Sequence, residues 1–222
     1  LHPRGSKLAG TFAAPALYAS PEGLFEFLQD WPFPAFQLID LDGTQLQQGP
    51  EGVIDELVAL LQMGETLLAQ HDNPGELHEH FNFQIAVGGS YFLEIAKIRA
   101  FRLLWAHVME AYDIEDALPG IEIHTSLHTQ GEDRNTNMIR SSSQAMSAVL
   151  GGCDRLLVYP SDQVHGTPDA FTRRIARNLQ HILKMESHLD WVIDPAAGSY
   201  YIEQLTEQLA ERAWATFVQT MS

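Results

Sequence analysis

Residues 83–106 read FQIAVGGSYFLEIAKIRAFRLLWA. An apolar run stops at Gly88 and Gly89, and the pattern then changes period. Tyr91, Ile95, Ile98, Trp105 and Met109 fall near one face of a helix, with Glu94 and Lys97 elsewhere, as in a helix laid on a sheet. The stretch is thus a strand at 82–87, a glycine turn and a helix over 90–112. Four more pairs keep this rhythm: 12–18 before 21–30, 36–41 before 51–70, 120–125 before 135–150, and 155–159 before 168–187. A final helix covers 202–220. No internal repeat, low-complexity tract or long linker divides the chain, so residues 1–222 are read as one domain.

Helix starts have local causes. Ser20, Pro21 and Glu22 read as an N-cap, a proline at the first helical position and a carboxylate facing the positive helix end. Thr167, Pro168 and Asp169 repeat that signature. Strict alternation of strand and helix argues for a parallel sheet with right-handed crossovers. Two architectures satisfy it. A doubly wound sheet usually opens with a glycine-rich phosphate turn, and neither G-x-G-x-x-G nor G-x-x-x-x-G-K-[ST] occurs here. A barrel of eight units needs about 250 residues. With about five units, a barrel reading implies a partial barrel whose open edges must be covered.

With 29 acidic and 13 basic residues the chain carries a formal charge of −16, which repels phosphate backbones and acidic membranes. Nucleic acid and membrane partners are excluded on that ground, and no apolar run is long enough to span a bilayer. A lone cysteine, Cys153, forbids an internal disulfide and a four-thiolate zinc site, which fits the cytoplasm. Cys153 itself reads as a buried, inert thiol.

Of the ten histidines, His78 with His80 and His124 with His128 stand closest. The first pair lies in a polar connection and reads as a solvated loop. The second lies where a strand ends and its loop begins, the place where parallel barrels put their chemistry. It is a candidate pocket lining, with no third metal ligand placed by sequence. Ser141, Ser142 and Ser143 lack a nucleophile-elbow context and read as small helix residues facing neighbouring elements. The amides at Gly88, Gly89 and Ser90 suit either an anion at a helix N-terminus or a tight turn.

The opening stretch also resembles a signature of the methylmalonyl-CoA mutase family, a strand and glycine turn leading into an E-I-A-K-L-R-A helix that ends L-W-A. Three segments join it in family order: NMIRSSSQAMSAVLGG at 137–152, PDAFTRRIARNLQHILKMES at 168–187, and VIDPAAGSYYIEQLTEQLAERAW at 192–214. The opening LHPRGSKLAG also looks like the family's Asp-Pro-Leu-Gly segment. The resemblance implies the C-terminal part of an acyl-CoA-binding (β/α)₈ TIM barrel. The N-terminal strands that carry the family's tyrosine and arginine substrate contacts have no counterpart. Nor has the cobalamin domain, since its cobalt-ligating D-x-H-x-x-G motif is absent and Asp162 to Gly166 has the wrong spacing.

Catalytic positions implied by the resemblance are altered. Gln45 stands where active members carry a histidine that hydrogen-bonds the thioester carbonyl. An amide can donate a hydrogen bond but cannot serve as an acid near neutral pH. His124 to Gly131, HTSLHTQG, replaces T-S-G-W-S-L-T and lacks its tryptophan, and this segment holds His124 and His128. Leu157 and Tyr159 take the histidine and asparagine positions of S-L-H-T-N-S-L-D-E. Altered polar clusters beside retained packing motifs resemble the family's noncatalytic small subunit, which pairs with a catalytic large subunit. By that resemblance the chain binds no cofactor itself, and adenosylcobalamin belongs to the parent complex. The alternative is a working acyl-CoA mutase with an altered pocket in which Gln45 replaces the acid. An unrelated hydrolase or metal enzyme would have only His124 and His128 to work with. An incomplete barrel is expected to expose a strand edge and an apolar inner face. The isolated chain should then self-associate through an interface above roughly 1,000 Å².

Overall fold

A computed structural model describes residues 36–221, with Gly10, Thr11, Gly23, Phe25, Phe27 and Leu28. Strands β1 (Gly10–Thr11) and β2 (Phe36–Gln37) pair in parallel. Strands β3 (Ile39–Asp42), β4 (Phe81–Val87), β5 (Gly120–Thr125) and β6 (Arg155–Leu157) form a four-stranded parallel sheet in sequence order. The helices are α1 (Val53–Leu68), α2 (Pro74–Glu79), α3 (Tyr91–Glu110), α4 (Arg134–Leu150), α5 (Ala170–His181) and α6 (Tyr200–Met221). The parallel α/β expectation for 36–41, 82–87, 120–125 and 155–159 holds. The strand at 12–18 and the cap at Ser20 lie outside the described residues.

Period 2 sorts the strands into two faces. Ile39, Leu41, Phe81, Phe83, Ile85, Val87, Ile121 and Ile123 are buried and pack against helices in one apolar core. Helix α3 is buried nearly all round, because the sheet takes one side while α4 and α6 take its flanks. Gly64 of α1 is needed there, since a Cβ would lie 2.5 Å from the Trp105 ring.

The opposite face corrects the expectation of an apolar interior. Its register rows are Asp40, Asn82 and Gly120, then Asp42, Gln84, Glu122 and Arg155, then Ala86, His124 and Leu157. Asn82 Nδ2 donates to Asp40 Oδ1 at 2.7 Å and to Glu122 Oε2 at 3.2 Å. Arg155 Nε donates to Glu122 Oε2 at 3.3 Å, and its guanidinium also reaches Asn82 Oδ1. Side-chain polarity thus ties all four strands together across this face.

Other local readings change as well. Asn73 caps α2 by accepting from the Glu76 N–H at 3.3 Å, with Pro74 at the first helical position. His78 and His80 therefore do not lie in a solvated loop. His80 is buried with Nδ1 2.9 Å from the Phe36 carbonyl, and His78 Nδ1 accepts from Trp105 Nε1 at 3.3 Å. Helix α5 is capped by Asp169, which accepts from the Thr172 N–H at 2.7 Å, rather than by Thr167. It runs on into one π-helical turn, Ile182–Glu186. Of the three serines, Ser141 alone is buried; Ser142 and Ser143 are exposed and donate back to the Met138 and Arg140 carbonyls. Burial pushes the Cys153 thiol up to about 12, which leaves it inert near neutral pH.

Candidate functional site

A cavity of about 250 Å³ opens at the C-terminal ends of the parallel strands. Thr44, Gln45, Gln47 and Gln48 reach it from the turn after β3, Ala86 from β4, His124 through His128 from β5 and its loop, and Tyr159 from just past β6. Parallel strands bring the C-terminal ends of all four strands to one end of the sheet, so residues far apart in sequence converge here. Of the residues singled out by sequence, Gln45, His124, His128 and Tyr159 line this cavity together. Leu157 does not; it is the register neighbour of His124 on the sheet face and is 39% exposed. Thr44, Gln47, Gln48 and Ser126 were missed. The signal for them is positional, because each follows closely on the end of a strand.

His124 is the best-anchored group. Its Nε2 lies 2.8 Å from Glu122 Oε1 and its Nδ1 lies 3.3 Å from the Tyr159 hydroxyl. A carboxylate only accepts, so Nε2–H donates to Glu122, while Nδ1 shares a hydrogen bond with the Tyr159 hydroxyl. The hydrogen bond from His124 holds the Glu122 carboxyl below its usual range against the opposing effect of burial, with Asn82 and Arg155 helping. Burial raises the Tyr159 hydroxyl, and the negative charges of Asp42 and Glu122 raise it further. Tyr159 is thus a neutral hydrogen-bonding group near neutral pH. The backbone N–H of Tyr159 donates to Thr125 Oγ1 at 2.9 Å, which fixes the β6 exit against the β5 exit.

Beneath the cavity lies a buried ion cluster. Lys97 Nζ sits 2.8 Å from Glu56 Oε2 and 2.7 Å from Glu94 Oε2, all three side chains being excluded from solvent. Glu56 Oε1 accepts from the Ala86 N–H at 2.8 Å, Lys97 donates to the Ala86 carbonyl, and Gln47 Nε2 donates to Glu94 at 3.3 Å. The cluster holds the end of β4 and the Gln47 turn in place. Gly88 belongs to this packing: a Cβ there would lie 2.4 Å from Gln47 Nε2 and 2.9 Å from Glu94 Oε1. Close approach accounts for that glycine and favours the tight-turn reading.

Two carboxyls share one ammonium, and burial pushes Glu56 up to about 7 although Lys97 pulls it down. Its folded value exceeds its ordinary 4.5, so the folded state holds the proton more tightly than the unfolded state. The resulting stabilisation is fully present below pH 4.5 and is lost as pH rises through about 7. The stability of the protein relative to its Glu56→Gln variant should therefore fall between those values. Urea unfolding at stepped pH measures this, and a difference that rises with pH contradicts it.

The site offers amide, hydroxyl and imidazole groups to a polar ligand. Among the described residues no three His, Cys, Asp or Glu side chains gather as a metal site. The histidine of the Asp162 to Gly166 string, His165, places Nε2 3.1 Å from the Gly131 carbonyl within a short helical turn. Its spacing and this contact do not fit a cobalt ligand. No helix among the described residues is long and apolar enough to cross a membrane.

Comparison with known proteins places this geometry in context. A family model described as methylmalonyl-CoA mutase matches residues 24–221. A Porphyromonas gingivalis protein named methylmalonyl-CoA mutase small subunit is 37% identical over 194 residues, covering 83% of this chain and 31% of that protein. A Streptomyces virginiae protein of the same name is 38% identical over 191 residues, covering 83% and 31%. A Rhizobium meliloti protein named methylmalonyl-CoA mutase is 37% identical over 190 residues, covering 82% and 26%. The chain spans between about a quarter and a third of the length of the curated relatives it matches.

Proposed function

Since the chain belongs to the methylmalonyl-CoA mutase family, we propose that it is barrel sequence from the noncatalytic small subunit of an adenosylcobalamin-dependent methylmalonyl-CoA mutase. The parent complex interconverts methylmalonyl-CoA and succinyl-CoA in the cytoplasm. Four parallel strands with helices on one face and polar rows on the other suit the C-terminal part of a (β/α)₈ barrel, closed in the longer protein by upstream strands.

One observation carries the noncatalytic reading. Gln45 lines the cavity at the position where the resemblance puts the histidine acid. Around it, the imidazole of His124 is engaged at both nitrogens, by Glu122 and Tyr159. The cavity keeps its polarity without an acid at the expected position. In this reading adenosylcobalamin belongs to the large subunit. The alternative is a working mutase in which Gln45 replaces the acid. It draws on His128, which lines the same cavity.

Cobalamin titration of the isolated chain, followed by absorbance, should give no saturable change at micromolar cofactor. Gln45→His should not create mutase activity, because the tryptophan and asparagine positions remain altered. Saturable binding, or turnover by that single variant, would overturn the reading.

A further inference from the structure

Charge is segregated within this acidic chain. Residues 134–150 and 170–185, which form α4, α5 and most of the π turn, contain Arg134, Arg140, Arg173, Arg174, Arg177 and Lys184 and no aspartate or glutamate. The chain as a whole carries −16. Arg134 pairs with Asp169 at 3.4 Å and Lys184 with Asp190 at 3.7 Å. Among the described residues, Arg173, Arg174 and Arg177 join no ion pair, and all three are exposed.

The same face is studded with apolar side chains. On α4, Ile139 and Met146 stand seven residues apart on one side of the helix, Ile139 being 72% exposed. The exposed Ser142 and Ser143 between them turn their hydroxyls back onto the helix, so the surface there is small and uncharged. On α5 and its π turn, Phe171, Ile182 and Met185 are exposed beside the arginines, with Arg174 stacked 5.7 Å over the Phe171 ring. Arginines without ion partners beside exposed aromatic and aliphatic side chains are the composition of a protein interface rather than of a solvated helix face, the nearest carboxylates being the helix caps Asp133 and Asp169 and, past the π turn's lysine, Glu186 and Asp190. By contrast, α3 and α6 turn much of their apolar surface toward each other.

We propose that the outer face of α4 and α5 is a docking surface for an acidic protein face carrying apolar side chains, presented by the large subunit. The inference rests on the small-subunit reading. Charge selects this occupant over a second copy, because a twofold contact would set the arginines of one copy against those of the other. Charge also disfavours nucleic acid, which the rest of the chain repels.

The test uses the chain and the large subunit encoded with it, with binding followed by titration calorimetry. Affinity should fall about tenfold or more between low and physiological salt. The triple reversal Arg173→Glu, Arg174→Glu, Arg177→Glu should weaken binding about a hundredfold, and Ile139→Asp should weaken it independently. Each variant is checked by circular dichroism. If the reversals disturb folding, the triple Arg→Gln variant and the salt titration of the unmodified chain read the same surface. Tight binding that ignores salt and all these changes overturns the inference while leaving the small-subunit reading intact. Failure of the unmodified chain to bind the large subunit overturns both. A salt-sensitive dimer of the chain alone, or a salt-sensitive duplex complex, that the reversals abolish would assign the face to a different occupant and overturn it.

Discussion

Lys97→Met should lower the unfolding free energy at neutral pH by about 3–5 kcal/mol, the cost of removing one partner from a buried charge cluster. Lys97 is fully buried, and its ammonium is the charge partner of both Glu56 and Glu94. Burial opposes its charged form, but the two carboxylates outweigh that and raise its pKa. Methionine fills similar volume, so the loss reports charge rather than a void. Two buried carboxyls would then face each other without a cation, and the Ala86 carbonyl would lose its donor. The remedy open to the variant is to protonate Glu56, whose carboxyl burial already raises, so its deficit should shrink at acidic pH. Urea midpoints at acidic and neutral pH measure this. A deficit under about 1 kcal/mol at neutral pH would mean that the cluster contributes little beyond packing.

Trp105→Ala should cost a comparable amount, about 3–5 kcal/mol. The indole is fully buried among Phe81, Phe83 and Phe101, with ring centroids 5.9, 4.6 and 6.5 Å away. Gly64 leaves the space that the ring occupies. Its packing partners are large aromatic rings in a close-packed core, so truncation leaves a void instead of a collapse. His78 would also lose the indole N–H that it accepts. Trp105→Phe should recover most of the loss, since it restores ring volume and forfeits only that bond. Thermal unfolding of the two variants against the parent checks the ordering. Equal losses would place the cost in the hydrogen bond.

The sheet was legible because its strands are short apolar runs bounded by turn residues, and alternation with helices implied parallel pairing. Helix ends shifted by a residue or two where caps decide them, as at Asp169. Polarity of the inner face was also written in the chain. Phe81-Asn82-Phe83-Gln84 and Ile121-Glu122-Ile123-His124 alternate strictly, which marks one wet face. The expectation of an apolar inner face came from the incomplete barrel and not from these strands. Helix α2 announced itself through Asn73, Pro74 and Glu76, a cap signature easily taken for a polar loop. What could not be read was long-range. Glu94 and Lys97 look like surface charges until Glu56, from another helix, is brought to them. His124 and His128 were placed near a cavity by their position after a strand, whereas the ties to Glu122 and Tyr159 depend on rotamers and register. Leu157 came from the resemblance alone; it shares a register row with Ala86 and His124, yet it does not line the cavity.

The central claim is that chemistry in the complex belongs to the other subunit. Steady-state turnover of methylmalonyl-CoA by the reconstituted heterodimer, with Gln45→Ala, Tyr159→Phe and His128→Ala combined in this chain, tests it most directly. The account predicts kcat and KM within about twofold of the unmodified complex, a difference of under about 0.5 kcal/mol in barrier. A fall in kcat of a hundredfold or more, with the heterodimer still assembled, would show that this cavity takes part in the reaction and would contradict the account.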